Sequence, residues 1–198
     1  MARIGAEKAK DIGGSQSEFF SLKNDKDEAH VRILYETAEQ LDIYATHRIE
    51  VDGKDRYVEC INPEGDERLP SCPGCTRDGY PSIKLFIKLF DITAQKYKVW
   101  DRGKTFIPTI TGFLDKYKAL TNRPYDIVRH GVAKSMDTTY QLFQLDKDDK
   151  TLADFEKQPE ILGTLVLVKT QQEMQDMIDG VTPDSAPTRR KTGGKDVF

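Results

Sequence analysis

The chain has 198 residues, of which 37% are hydrophobic and 32% charged, and its formal net charge is -3. These values suit one domain with a modest core and appendages, and they argue against a uniformly basic nucleic-acid-binding surface. Because no apolar run reaches the roughly 18 residues of a membrane span and residues 1–17 lack the apolar core of a secretory signal, we expect a cytoplasmic protein without a membrane partner.

The first part of the chain predicts an arm followed by a two-strand ribbon. Residues 1–17 are polar and show no periodicity, which is typical of a flexible N-terminal arm. Residues 29–35 form a short strand-like run, and apolar and polar residues alternate over 42–51 with the period of a half-buried strand. The Asp-Gly dipeptide that follows is typical of a tight hairpin turn, so 56–60 is predicted to be the return strand.

The middle of the chain predicts a loop, four strands and one helix. Residues 61–82 are rich in Pro, Gly, Asp and Asn and offer no core residues, so something else must order this loop. Apolar residues at helical spacing predict a helix over 106–120. Strand patterns occupy four segments, two before this helix and two after it: 83–90, 96–100, 125–131 and 139–145.

This order of elements predicts a mainly β protein whose core is a small OB-fold barrel with one helix between its strands. The OB-fold domain is predicted over 18–150, with a zinc-stabilised loop insertion at about 47–80. Residues 151–180 carry six acidic and two basic side chains and are predicted to form an acidic helical segment. Residues 181–198 are predicted to be a disordered tail.

All three cysteines and one histidine follow a pattern typical of a metal site. An odd number of cysteines within sixteen residues argues against a disulfide framework. Cys72 and Cys75 form a Cys-x-x-Cys turn that can direct two thiolates at one ion, and the hairpin brings His47 near Cys60. One imidazole and three thiolates suit a closed structural zinc site, so we predict Zn²⁺ at these four residues. The competing interpretation is a core histidine beside idle, reduced thiols.

Two other kinds of cysteine chemistry fit the sequence less well. A thioredoxin-like redox pair would need a βαβ pattern, which is lacking. Nucleobase deaminases combine H-x-E with P-C-x-x-C, but Glu50 is one residue too far from His47 and on the opposite face of a strand. Ser71 also separates the proline from the first cysteine, and Cys60 would occupy the position of the reactive water. We therefore predict that the protein is not an enzyme.

Basic and aromatic residues are interleaved on the two central strands. Residues 84–102 carry five basic and two acidic side chains. Cations follow the phosphates of a single strand, and rings stack on bases for about 1–3 kcal/mol each. The alternative is an ordinary solvated face whose rings are covered by other elements. The predicted DNA contacts are Lys84, Phe86, Lys88, Phe90, Lys96, Lys98, Trp100 and Arg102 as one surface, with Arg32, Arg48 and Tyr57 on neighbouring strands.

The spacing of the four ligands resembles that of the zinc-containing, helix-destabilising single-stranded DNA-binding proteins of T-even bacteriophages. In both, a His is followed by a gap of twelve, a Cys, a gap of about ten and then Cys-x-x-Cys. The segments "FFSLKNDKDEAHVRILY", "VDGKDRYVEC" and "VWDRG" also resemble smaller phage binding proteins, and the likeness covers about 18–145. It implies an OB-fold with a zinc-held insertion that binds single-stranded DNA without sequence preference in phage DNA replication, recombination and repair. The host cytoplasm would then be its location.

The resemblance also implies protein partners. That family has a strongly acidic C-terminal domain, whereas here only residues 151–180 are acidic and the end of the chain is basic. The 151–180 segment is expected to bind replication or recombination proteins or to compete with DNA, and the alternative is a helix packed on the barrel. A basic N-terminal element, here Arg3, Lys8 and Lys10, implies self-association on DNA. Asp196 and Phe198 resemble the acidic, Phe-closed docking tip of bacterial single-stranded DNA-binding proteins. An alternative from another class is a zinc-ribbon protein-interaction or transcription accessory module that binds no naked strand.

Overall fold

The structure is a computed structural model, and it describes residues 18–62, 71–133 and 137–181. The described chain is mainly β, with 38% of its residues in strands and 22% in helices, and its sheet is open rather than closed. The predicted arm lies outside the described residues, as do most of the predicted tail and the proposed docking tip at Asp196 and Phe198.

Nine strands and three α-helices are described. The strands are β1 (Glu18–Phe19), β2 (Glu28–Ile33), β3 (Asp42–Val51), β4 (Lys54–Glu59), β5 (Ser82–Asp91), β6 (Lys96–Gly103), β7 (Pro124–His130), β8 (Thr139–Gln144) and β9 (Val166–Leu167). The helices are α1 (Pro73–Asp78), α2 (Ile107–Tyr117) and α3 (Gln171–Ile178).

The chain divides into two compact units. Within the described residues, the first unit contains everything up to Ala45 together with Ser82–Thr164, and we call it the sheet unit. The second contains Thr46–Pro81 and the chain from Leu165 onward, and we call it the ribbon unit. Strand β3 therefore begins in the sheet unit and ends in the ribbon unit.

The sheet unit is built on five antiparallel strands in the order β6-β5-β2-β7-β8. Strand β1 adds to β6 in parallel, and α2 connects β6 to β7. Among the described residues no backbone pairing joins β6 to β8, so the sheet stays open. Side chains nevertheless cross this gap, because the rings of Trp100 on β6 and Tyr140 on β8 meet edge to face at 5.0 Å.

A continuous apolar core fills the sheet unit. Trp100, 1% exposed, lies in this core and makes edge contacts with Phe20 at 5.5 Å and Phe106 at 5.0 Å. Helix α2 contributes Ile110 and Leu114, which lie one turn apart and therefore share a face. Each large apolar side chain buried in this way stabilises the fold by about 1.5–3 kcal/mol.

The ribbon unit is a β3–β4 hairpin with one short parallel strand and two helices. Asp52 and Gly53 form its turn with φ values of 52° and 70°, the left-handed pair that a two-residue hairpin favours. Strand β9 pairs with β4, with Tyr57 opposite Val166. Helix α3 begins at a capping box in which the Glu173 carboxylate accepts the backbone N–H of Thr170 at 2.9 Å.

The strands that alternation predicted and the helix predicted at 106–120 are confirmed, with shifts of a few residues at their ends. The predicted loop 61–82 contains the short helix α1. In the predicted helical segment 151–180, only Gln171–Ile178 forms an α-helix. Val166 and Leu167 form a strand instead, because they extend along the edge of β4. Tertiary pairing thus overrides the helical prediction there.

Candidate functional site

Four side chains from three parts of the ribbon unit form a buried cluster. His47 is on β3, Cys60 directly follows β4, and Cys72 and Cys75 lie at the start of α1. All four are buried, and their ligand atoms all lie within 4.8 Å of one another, so the cluster could hold a metal ion. The hairpin register places His47 opposite Val58, two residues before Cys60. The cysteine pair spans three residues of a helical turn, which directs both thiols to one side.

Four of the six separations within the cluster are close to the edges of a tetrahedron around a metal ion. Cys60 Sγ lies 3.8 Å from Cys72 Sγ and 3.6 Å from Cys75 Sγ. His47 Nε2 lies 3.6 Å and 3.5 Å from the same two sulfurs. A tetrahedral ion bonded at about 2.3 Å to sulfur and about 2.0–2.1 Å to nitrogen has edges of about 3.8 Å and about 3.5 Å. The three cysteines are free, so no disulfide competes for the sulfurs.

Asp78 orients the ring of His47. Its Oδ2 lies 3.2 Å from His47 Nδ1, which leaves Nε2 directed at the sulfurs. Burial lowers the pKa of His47, and Asp78 offsets this only in part, which favours a neutral imidazole that donates from Nδ1 to Asp78. Arg77 donates to Asp78 and holds the pKa of that carboxyl below its usual value. Metal-ligating histidines commonly have such a carboxylate partner.

The thiols differ in their tendency to ionise. Burial raises the pKa of Cys60 to about 12. Burial also opposes ionisation of Cys72, but hydrogen bonds from the backbone of Cys75 and Ile61, together with those from the Cys75 and Cys60 side chains, bring the pKa of Cys72 below its ordinary value. Three buried thiolates need a positive charge beside them, and a metal ion would supply it by displacing the thiol protons.

Gly74 and Met174 complete the packing around the cluster. A Cβ built on Gly74 would meet the Cδ2 and Cγ atoms of the His47 ring more closely than real Cβ atoms do. The fully buried Met174 of α3 places its Sδ 3.9 Å from Cys72 Sγ and 3.3 Å from the Gly74 nitrogen. Sequence analysis identified the four residues of this cluster but missed Asp78 and Met174. Only the position of Met174 on the apolar side of a short amphipathic helix hinted at its role.

The predicted DNA surface is divided between two faces of the sheet. In the β5–β6 hairpin each even-numbered residue of β5 lies opposite an odd-numbered residue of β6, as Lys88 lies opposite Val99. Each odd-numbered residue of β5 likewise lies opposite an even-numbered residue of β6, as Ile87 lies opposite Trp100. Lys96, Lys98, Trp100 and Arg102 therefore share the face of Leu85, Ile87 and Leu89, while Lys84, Phe86, Lys88 and Phe90 lie on the other face. The expectation of one continuous surface is wrong, because it did not combine the alternation along each strand with the register between the two strands.

The aromatic residues of this group are largely covered. Phe86 is 0% exposed and Trp100 1% exposed, so neither ring offers a free face to a base. Phe90 is half-buried and contacts the rings of Tyr97 and Phe155 at 5.3 Å and 5.4 Å. Stacking by Trp100 and Phe86, as expected from the sequence, is therefore not possible in this conformation.

Most of the predicted cations have carboxylate partners. Arg32, 6% exposed, pairs with Asp148 at 2.6 Å and donates to the Thr121 carbonyl. The other pairs are Lys88 with Asp42 at 2.9 Å, Lys98 with Asp91 at 2.8 Å, Lys84 with Asp101 at 3.1 Å, and Arg48 with Asp55. Lys96 is exposed, and Tyr57 is half-buried on β4. Arg102 differs from the others, because it lies over the rings of Trp100 and Tyr140.

Comparisons with protein-family models, with curated proteins and with solved structures find no match to this chain. Across the part of the chain that the structure describes, no helix combines the length and apolarity needed to cross a membrane.

Proposed function

We propose that this protein is a non-enzymatic, zinc-containing single-stranded DNA-binding protein that acts in phage DNA replication, recombination and repair. The observation that carries the proposal is the combination of two features in one chain. One is a five-strand sheet with the order β6-β5-β2-β7-β8 and a helix between β6 and β7, which suits a partly open OB-fold. The other is a buried His-Cys₃ cluster with the ligand order of the phage family that the sequence resembles.

The zinc is proposed to be structural. Four protein ligands at tetrahedral separations leave no coordination position for a reactive water, as closed structural sites do. Glu50, the residue that a deaminase would need beside the metal, is exposed on β3, whereas His47 is buried. These features favour a zinc ion that fastens α1 to the β3–β4 hairpin, and they do not favour deaminase chemistry.

The proposed binding mode depends more on charge than on stacking. Because Trp100 and Phe86 are covered, contacts of cations with phosphates supply most of the affinity. Such contacts do not depend on sequence, which agrees with a protein that coats single strands. Trp100 emission should consequently change little on binding, so it is a poor reporter of the complex.

The decisive test is fluorescence anisotropy of a labelled oligothymidine titrated with the zinc-loaded chain at several salt concentrations. The logarithm of affinity should fall linearly with the logarithm of salt concentration, by about 0.7 for each phosphate neutralised. A duplex of the same length serves as the control and should bind more weakly. Absence of binding at low salt would contradict the proposal and favour the zinc-ribbon interaction module.

A further inference from the structure

A cleft of about 560 Å³ opens in the sheet unit, and it is rich in cations. Small-molecule pockets typically have volumes of about 300–1,000 Å³, so a phosphate with its sugar fits this size. None of the described residues that line the cleft is acidic. The polar and aromatic lining residues are Lys23, Asn24, Arg102, Arg129, Thr138 and Tyr140.

Arg129 supplies a buried positive charge at this cleft. It is 4% exposed, and its guanidinium donates to the carbonyl oxygens of Gly131 and Val132 and to Thr138 Oγ1. These acceptors are neutral, so they fix the guanidinium in place without cancelling its charge. Asp27 is an acidic group near enough for its pKa to respond to the charge of Arg129. The pKa of Asp27 is lowered mainly by backbone N–H groups of Asn24 and Lys23, with the charge of Arg129 a smaller cause.

Arg102 presents a second guanidinium at this cleft. Its carbon lies 4.8 Å from the ring centre of Trp100 and 4.5 Å from that of Tyr140, and its Nε donates to the Asp101 carbonyl at 2.6 Å. Within the described residues its two terminal nitrogens have no acceptor and no carboxylate partner. Aromatic contacts thus hold Arg102 in position while they leave its hydrogen-bonding groups available.

We propose that this cleft binds one phosphate group of a single-stranded nucleic acid. The terminal N–H groups of Arg102 donate to the phosphate oxygens, and Arg129 and the exposed Lys23 add positive potential. Guanidinium groups suit this ligand because their planar array of donors matches the geometry of a phosphate. The inference rests on the proposed function and adds to it the location of one phosphate contact.

The test compares Arg102→Gln with a matched control in the full, zinc-loaded chain. Arg123 lies over the Tyr117 ring at 4.3 Å, which repeats the arginine–tyrosine contact at a place that does not line the cleft. We expect Arg102→Gln to weaken binding of a 5′-hydroxyl oligothymidine about tenfold at low salt and to reduce the salt slope by about 0.7. Arg123→Gln should change neither quantity.

A second oligothymidine with a 5′-phosphate separates the two sources of phosphate. An equal loss on both oligonucleotides assigns the cleft to a phosphodiester within the strand, and a loss confined to the phosphorylated one assigns it to a strand terminus. Lys23→Gln, at an exposed position, should give a smaller loss of the same kind and serves if Arg102→Gln does not fold. If the cleft variants bind like the wild type, the cleft proposal is overturned while strand binding stands. A wild type that binds neither oligonucleotide overturns both.

Discussion

The two units of this protein are held together in different ways. The sheet unit buries a continuous apolar core around Trp100, to which five strands and α2 contribute. The ribbon unit contains a hairpin, a two-residue strand and short helices, and its buried residues gather around one imidazole and three thiols. The sheet unit can therefore be stabilised by hydrophobic burial alone, whereas the ribbon unit needs an additional source of stability.

That source should be a metal ion. Very small units bury too little apolar surface to offset the loss of chain entropy, and they usually rely on metals or disulfides. The cysteines of the ribbon unit are free and lie in a cluster that could hold a metal ion, so the proposed zinc would supply this stability. The two units would thus be stabilised in different ways, one by apolar burial and the other by the proposed metal ion. Each way leads to its own prediction.

The largest effect should follow removal of the metal. Zinc binding to small structural sites contributes about 10–16 kcal/mol of apparent free energy, so chelation or Cys75→Ser should unfold the ribbon unit. Hydrogen exchange should show loss of protection in β4 (Lys54–Glu59), while β5 (Ser82–Asp91) stays protected. Re-addition of zinc to the chelated wild type should restore protection. Protein without stoichiometric zinc, or chelation without any change in exchange, would contradict the comparison.

A smaller effect, confined to the sheet unit, should follow Trp100→Ala. Truncating a fully buried tryptophan leaves a cavity and costs about 3–5 kcal/mol, so the melting temperature should fall while zinc content stays at one ion per chain. Phe143 is 49% exposed on β8, and Phe143→Ala is the control, with an expected change within about 0.5 kcal/mol. Loss of zinc from Trp100→Ala would show that the two kinds of stabilisation are not separate.

Local sequence signals predicted much of this arrangement. Alternation predicted β3 and β5, because side-chain direction along one strand is a local property. The clustering of His47 with the three cysteines was predicted because these are residue types that zinc prefers, and they occur close together in the sequence.

Contacts between distant residues could not be predicted in this way. Arg32 pairs with Asp148, 116 residues away, and Met174 reaches Cys72 across 102 residues. The parity of the β5–β6 register likewise depends on how the hairpin turns, and it decides that Trp100 lies on the core face. Neither segment of such a pair shows the pairing in its own sequence, so local sequence patterns could not predict these contacts.

The smallest effect, and the sharpest test of the cluster itself, should come from Gly74→Ala. Gly74 lies in the first turn of α1, where alanine favours the helix, so any loss must come from the clash of its Cβ with the His47 ring. We expect a cost of about 1–3 kcal/mol together with weaker zinc affinity in a competition titration. The control is Gly112→Ala in α2, where a Cβ meets nothing within 4 Å and alanine should gain about 0.4–1 kcal/mol. If Gly74→Ala kept full zinc affinity, His47 would not be held against α1, and the assignment of the imidazole as the fourth ligand would fail.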